Sequence, residues 1–192
     1  RLKESMENLL DFSRTMRMRF RECDINAVIK RVVEALALTH SRGGVQIEYK
    51  LRENMPKVNL DEAHIERAVT NLVINAIEAS QVKGGKVKVA TDCNRDEILI
   101  SVTDNGPGIP QEALERIFEP FYTTKDKGTG LGLVVVKKVA EAHGGSVDVE
   151  SSSQGTRFTI RIPVSSGPRT EDTPTGEGGA KHELEALGGY SG

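Results

Sequence analysis

The stretch Glu97-Ile98-Leu99-Ile100-Ser101-Val102-Thr103-Asp104-Asn105-Gly106-Pro107-Gly108-Ile109 decides the fold. Its first half alternates apolar and polar side chains, as a strand does when one face is buried, and then stops on a carboxylate followed by turn residues. Just upstream Lys86 to Ala90 reads the same way, and Asn94-Arg95-Asp96 between the two runs predicts a hairpin. Ser146 to Glu150 with Thr156 to Ile162 predicts a second hairpin, and Val45-Gln46-Ile47-Glu48-Tyr49 a further strand.

Between the strands the spacing changes to that of helices. Asp24 is a good N-cap for Ile25, Val28, Ile29, Val32, Val33 and Leu36, with Gly43-Gly44 as the stop. Asp61 caps another helix through about Ser80, and a third runs from about Gly130 to His143 before Gly144-Gly145. A short helical piece, Gln111 to Arg116, interrupts the long turn-rich connection from Asn105 to Gly128. A connection of that length inside a small domain is usually functional or mobile. These pieces predict an α/β sandwich, one mixed sheet with helices on one face.

Outside this region the pattern differs. Leu2, Met6, Leu9, Phe12, Met16 and Phe20 form the narrow stripe of a helix that packs against one other helix, and the arginines from Arg14 to Arg21 read as its solvated end. From Ser165 onward glycines, Pro168 and Pro174 crowd among few large apolar groups, which predicts a disordered tail. The chain begins inside a helical pattern, and a cut end is expected there.

The 192 residues carry 26 basic and 28 acidic side chains, a net charge of −2, so there is no basic surplus for nucleic acid or acidic lipid. Only Cys23 and Cys93 occur, without metal-ligand spacing, which points to a reducing, cytoplasmic compartment. The longest apolar run, Leu131 to Val136, falls far short of the ~18 residues a bilayer span needs, so no membrane contact is expected.

Three places carry candidate chemistry. Asn71 and Asn75 stand four apart on one helix face, opposite Ile65, Val69, Leu72, Val73 and Ala76. Such a pair is either a solvated polar face or a source of neutral hard oxygens for Mg²⁺. Asp104-Asn105-Gly106-Pro107-Gly108-Ile109 is either an ordinary turn or a close-approach turn whose carboxylate accepts a hydrogen bond from the exocyclic amine of an adenine. Gly128-Thr129-Gly130-Leu131-Gly132 runs into a helix N-terminus, where unpaired N–H groups and the helix dipole favour phosphate. It lacks the Gly-Lys-Ser/Thr ending of a P-loop.

In that order, and with Phe118-Glu119-Pro120-Phe121-Tyr122-Thr123-Thr124-Lys125 between the last two, these segments resemble the N, G1, F and G2 boxes of sensor histidine kinases. Those kinases belong to the GHKL superfamily, named for gyrase, heat-shock chaperone, histidine kinase and mismatch-repair ATPases. The resemblance covers Arg1 to Val164, and its Phe-Tyr-Thr-Thr-Lys form is similar to the nitrogen-regulator-like branch. It implies the Bergerat (GHKL) ATP-binding fold over residues 23–164, preceded over 1–22 by the remnant second helix of a dimerisation hairpin and followed by the tail, 165–192.

Residue by residue, the resemblance implies that Asn75 coordinates Mg²⁺ and Asp104 receives the adenine amino group. Gly106, Gly108 and Ile109 would shape the adenine turn, with Thr156 also reaching the base. Gly128, Thr129, Gly130, Leu131 and Gly132 would fold over the phosphates, and Lys125, then Lys127, would supply the cation. Phe118 and Phe121 are expected to anchor the lid. Asn71 and Lys125 are the catalytic candidates. Hydrolysing relatives carry a glutamate where Asn71 stands, and asparagine is no general base at neutral pH, so ATP hydrolysis should be slow. Glu78, one turn further, is expected to be a surface carboxylate.

The implied activity is that of a protein-histidine kinase. ATP with Mg²⁺ would donate its γ-phosphoryl to a histidine on the dimerisation domain of a homodimer, for relay to an aspartate of a response regulator receiver domain. None of the four histidines fits the phosphoacceptor pattern on such a hairpin: His40 precedes Ser41, His64 precedes Ile65, His143 ends a helix and His182 lies in the tail. The chain is therefore expected to bind nucleotide without phosphorylating itself. A conformational ATPase of the same superfamily and a non-catalytic nucleotide-sensing module are the alternatives.

Overall fold

The predicted hairpins are present in the computed structural model, which describes residues 16–40, 44–81, 84–125 and 128–165. In chain order these form β1 (Arg21–Cys23), α1 (Ile25–His40), β2 (Gln46–Lys50), β3 (Val58–Leu60), α2 (Glu62–Ala79), β4 (Lys86–Cys93) and β5 (Glu97–Asp104). After them come α3 (Gln111–Leu114), α4 (Gly132–Ala142), β6 (Ser146–Ser152) and β7 (Gly155–Pro163).

Five strands pair in the order β2-β4-β5-β7-β6. β2 runs parallel to β4 and the other neighbours are antiparallel, so the sheet is mixed as predicted. Because side chains alternate across a strand, Val87, Val89, Ile98, Ile100, Val102, Phe158, Ile160 and Ile162 all fall on one buried face. The three long helices pack there. α2 contributes Ile65, Ala68, Val69, Leu72, Val73, Ala76 and Ile77, and lies between α1 and α4. The other face of the sheet is polar: Arg161 pairs with Asp148 and Glu97, and Arg157 with Glu150. Exposed pairs of this kind add little to stability.

Helix ends follow the predicted caps. Asp24 Oδ1 accepts the Asn26 N–H at 2.9 Å, and Asp61 Oδ1 accepts the His64 N–H at 3.1 Å. At the far end of α4, Gly144 adopts a φ of +75° and the Gly145 N–H reaches back to Ala140 O at 2.8 Å. Buried His143 joins two helices there: Nε2 accepts the Asp61 N–H at 3.0 Å and Nδ1–H donates to Val139 O at 2.7 Å. Burial holds the His143 pKa below the usual imidazole range, which suits this neutral bridging role.

The N-terminal reading needs correction at its end. Residues 16–20 are not helical, and Arg21–Cys23 pairs antiparallel with Val58–Leu60 in a second, two-stranded sheet. The Arg19 N–H donates to Asp61 Oδ2 at 2.6 Å and the Phe20 ring meets His143 edge-on at 5.3 Å between centroids. The chain therefore docks onto the domain before residue 23, through hydrogen bonds that no three-residue pattern announces. The earlier part of the expected helix, the tail after residue 165, Lys127 and His182 lie outside the described residues. Among those described, no helix is long and apolar enough to cross a membrane.

Candidate functional site

A cavity of about 630 Å³ opens between α2, the end of β5, the 105–130 connection and the start of α4. Among the residues lining it are Asn71, Asn75, Asp104, Gly108, Ile109, Lys125, Gly128, Thr129, Gly130, Gly132 and Thr156. All of these were candidates in the sequence. Two others are close by without lining it. Gly106 stands behind Asp104, and Leu131 is buried at the α4 N-cap, where only its backbone faces the turn's own Thr129.

The base end is built on the sheet. Asp104 closes β5 and is 7% exposed, with Oδ1 accepting N–H groups from Gly106 at 2.8 Å and Thr156 at 3.3 Å. Burial pushes its pKa above the usual carboxylate value; the two N–H donors and the charge of Lys125 oppose that shift. Gly108 sits at φ +81°, and a Cβ there would come 2.0 Å from Ser152 O, so only glycine lets the turn lie this close to the β6–β7 hairpin. Ile74, Ile109, Ala113, Ile117, Leu133 and Phe158 supply an apolar wall.

The other end is built on loop and helix. α4 begins at Gly132 with no side chain capping it, so its first N–H groups and dipole face the cavity. Asn71 Nδ2 donates to Gly132 O at 3.4 Å and ties α2 to that start. Gly130, at φ +65°, leaves 2.4 Å between an added Cβ and the Phe121 carbonyl carbon, and the Phe121 N–H donates to Gly130 O at 3.1 Å. Phe121 is 59% exposed, whereas Phe118 packs against the core. Arg116 stacks 4.4 Å above the Tyr122 ring in the same segment.

Lys125 bridges the lid to α2. Its Nζ donates to Asn75 Oδ1 at 3.1 Å and pairs with Glu78 Oε2 at 2.5 Å. Glu78 is on the surface, as expected, yet it lines the cavity and holds the lid lysine. The sequence offered a hint, since Glu78 falls three residues after Asn75 on one helical face. The Asn75 amide oxygen that accepts from this ammonium is a neutral hard ligand suited to a divalent cation.

Comparison with known proteins identifies the family. Residues 60–166 match the family described as "Histidine kinase-, DNA gyrase B-, and HSP90-like ATPase". The sensor histidine kinase ZraS of Escherichia coli O157:H7 is 33% identical over 165 residues, covering 85% of this chain and 36% of that protein; the chain thus spans about a third of the curated relative. The catalytic domain of histidine kinase ThkA is 34% identical with a TM-score of 0.70, over 77% of this chain and 99% of that one. ThkA in complex with response regulator protein TrrA gives 30% and 0.75, over 88% and 48%. Full-length ShkA in complex with AMPPNP gives 26% and 0.77, over 88% and 37%. A buried acid at a strand end, an asparagine face and a glycine turn at a helix start converge on one cavity in a sheet of this topology, and the chain belongs to the histidine kinase-, DNA gyrase B- and HSP90-like ATPase family, as a histidine kinase ATP-binding domain.

Proposed function

We propose that this cavity binds ATP with Mg²⁺ and presents the γ-phosphoryl group to a histidine imidazole of a dimerisation domain, from which it passes to a response regulator receiver domain. The observation that carries the reading is the convergence of Asp104, Asn75, Lys125 and the open start of α4 on one cavity. ShkA binding AMPPNP and ThkA pairing with a response regulator support it by kinship.

Asp104, whose Oδ1 is held by two backbone donors, accepts the adenine amine, and Thr156 lies beside it. The apolar wall takes the purine faces. The α4 N-terminus and the Gly128–Gly132 turn receive the phosphates. Asn75 Oδ1 would hold Mg²⁺, and the ion, when bound, spreads the negative charge of the phosphates. Lys125 then exchanges Asn75 and Glu78 for phosphate oxygens. The domain's contribution is positioning and charge neutralisation: an imidazole lone pair forms the new N–P bond as the O–P bond to ADP breaks.

Slow hydrolysis is expected from Asn71, which cannot take a proton from water. Calorimetric titration with ADP, then incubation of labelled ATP with an added histidine-bearing dimerisation domain, tests the proposal. Binding that is lost in Asp104→Ala and Asn75→Asp, with label moving to the added histidine, is expected; unchanged affinity in both variants rejects the site.

A further inference from the structure

His143 ends α4 at the opposite end from the phosphate turn, is 2% exposed, and serves none of the roles above. Its partners fix where its hydrogen sits. The Asp61 N–H can only donate, so Nε2 presents a lone pair; the Val139 carbonyl can only accept, so Nδ1 carries the hydrogen. The ring is therefore the neutral Nδ1–H tautomer, with both nitrogens used and no room for a second hydrogen.

The same two residues hold the chain's entry into the domain. Asp61 Oδ2 accepts the Arg19 N–H at 2.6 Å, and the Phe20 ring stands edge-on to the imidazole. The other oxygen, Oδ1, is committed to α2: it accepts the His64 N–H and lies 2.9 Å from His64 Nδ1. Asp61 and His64 are the titratable groups that face His143 among the described residues; Arg19 reaches the cluster through its backbone, and Val139 and Phe20 bring no charge. A proton on Nε2 would set donor against donor at 3.0 Å in a site closed to water. The anion facing the ring is the Asp61 carboxylate, and Oδ2 is its oxygen outside the helix cap, so meeting the new N–H takes Oδ2 from Arg19.

We propose that His143 is a proton-operated latch on residues 16–20: neutral, it keeps them docked where α2 begins and α4 ends; protonated, it releases them while the sandwich stays folded. The β1–β3 ladder and the apolar faces of α2 and α4 do not involve the ring, so the sandwich outlasts the release. Burial and His64 disfavour the imidazolium, the Val139 carbonyl and the Asp61 charge favour it, and the balance holds His143 below the ordinary imidazole range. Docking is therefore complete above that range and is lost as pH falls beneath it. The latch stands whether or not the cavity takes ATP.

The test is a pH titration of the whole chain by NMR, with the His143 ring signals identified by their absence in His143→Gln. Arg19 and Phe20 amide signals should move to unstructured positions with the midpoint of the His143 ring, while that of Ile100, fully buried in the sheet, stays in place. His143→Gln, whose amide oxygen can accept the Asp61 N–H and which takes up no proton, should keep the segment docked throughout. Linkage is reciprocal, so Arg19→Pro, which removes the donor to Asp61, and Phe20→Ala should each shift the His143 midpoint upward, toward the ordinary imidazole value. These two variants decide the matter if His143→Gln does not fold. His64→Gln should leave the release tied to the His143 midpoint. The latch is overturned by an Arg19 signal that holds through the His143 titration, by an Ile100 signal that moves with it, by a release that disappears with His64, or by a midpoint that neither segment variant shifts.

Discussion

The two ends of the cavity are made differently. At the base end Asp104 and Thr156 are 7% and 4% exposed, sit on neighbouring strands and are held by backbone N–H groups. At the phosphate end Lys125 is 42% exposed at its side chain, and Gly128 and Thr129 are also open to solvent. The difference separates two tasks. Recognising a base requires donors and acceptors fixed before the ligand arrives, whereas following a phosphate through transfer requires a charge that can move.

The largest expected effect tests the fixed end. Asp104→Asn should cost about 3 kcal/mol of ADP binding, roughly a hundredfold, by calorimetry, because the amine loses a charged and buried acceptor. The same substitution should preserve or raise the melting temperature of the nucleotide-free domain. Burial raises the native pKa of Asp104, so the stability linked to this group is full below the ordinary carboxylate pKa and is lost as pH climbs through the raised value. At neutral pH an uncharged amide escapes that penalty. A lower melting temperature with intact affinity would reverse the assignment of tasks.

A pair of glycine variants comes next. Gly108→Ala forces a positive φ and a 2.0 Å approach to Ser152 O, and should cost about 2 kcal/mol or more of stability in denaturant titration. Gly132→Ala meets nothing nearer than Asn75 Nδ2 at 3.8 Å and should stay within about 0.5 kcal/mol. Equal costs would erase the distinction between the two ends.

Smaller effects belong to the mobile charge. Lys125→Met should weaken ATP about tenfold and ADP less than threefold in the same titration, since the ammonium serves the terminal phosphate. Glu78→Gln frees Lys125 from its ion pair and should raise nucleotide affinity about twofold, the scale of an exposed pair, while making the lid of the nucleotide-free domain easier to cleave in limited proteolysis. A fall in affinity would make Glu78 part of the liganded site.

Strand alternation from Glu97 to Val102, the Asp24 and Asp61 caps, the Asn71/Asn75 face and the two glycine turns were all legible because each is a local pattern with a short period or a fixed offset. The β1–β3 pairing was not, since three residues on each side carry too few positions to show a pattern. Ser151 was likewise silent: in sequence it is one of several serines at a hairpin end, and its hydrogen bond with the Ile109 N–H spans 42 residues.

Local order along the chain was thus enough to determine the strands and helices of the main sandwich and which residues have the chemistry of a nucleotide site. Only the folded structure decided which of them meet: that Lys125 rests on Asn75 and Glu78, that Phe121 turns outward while its backbone laces to Gly130, and that Ser151 stands behind Thr156. Periodicity records which way a side chain faces from its own element. Contacts between elements depend on packing distances and on the directions of individual hydrogen bonds, and those arise only when the sheet and helices close on one another.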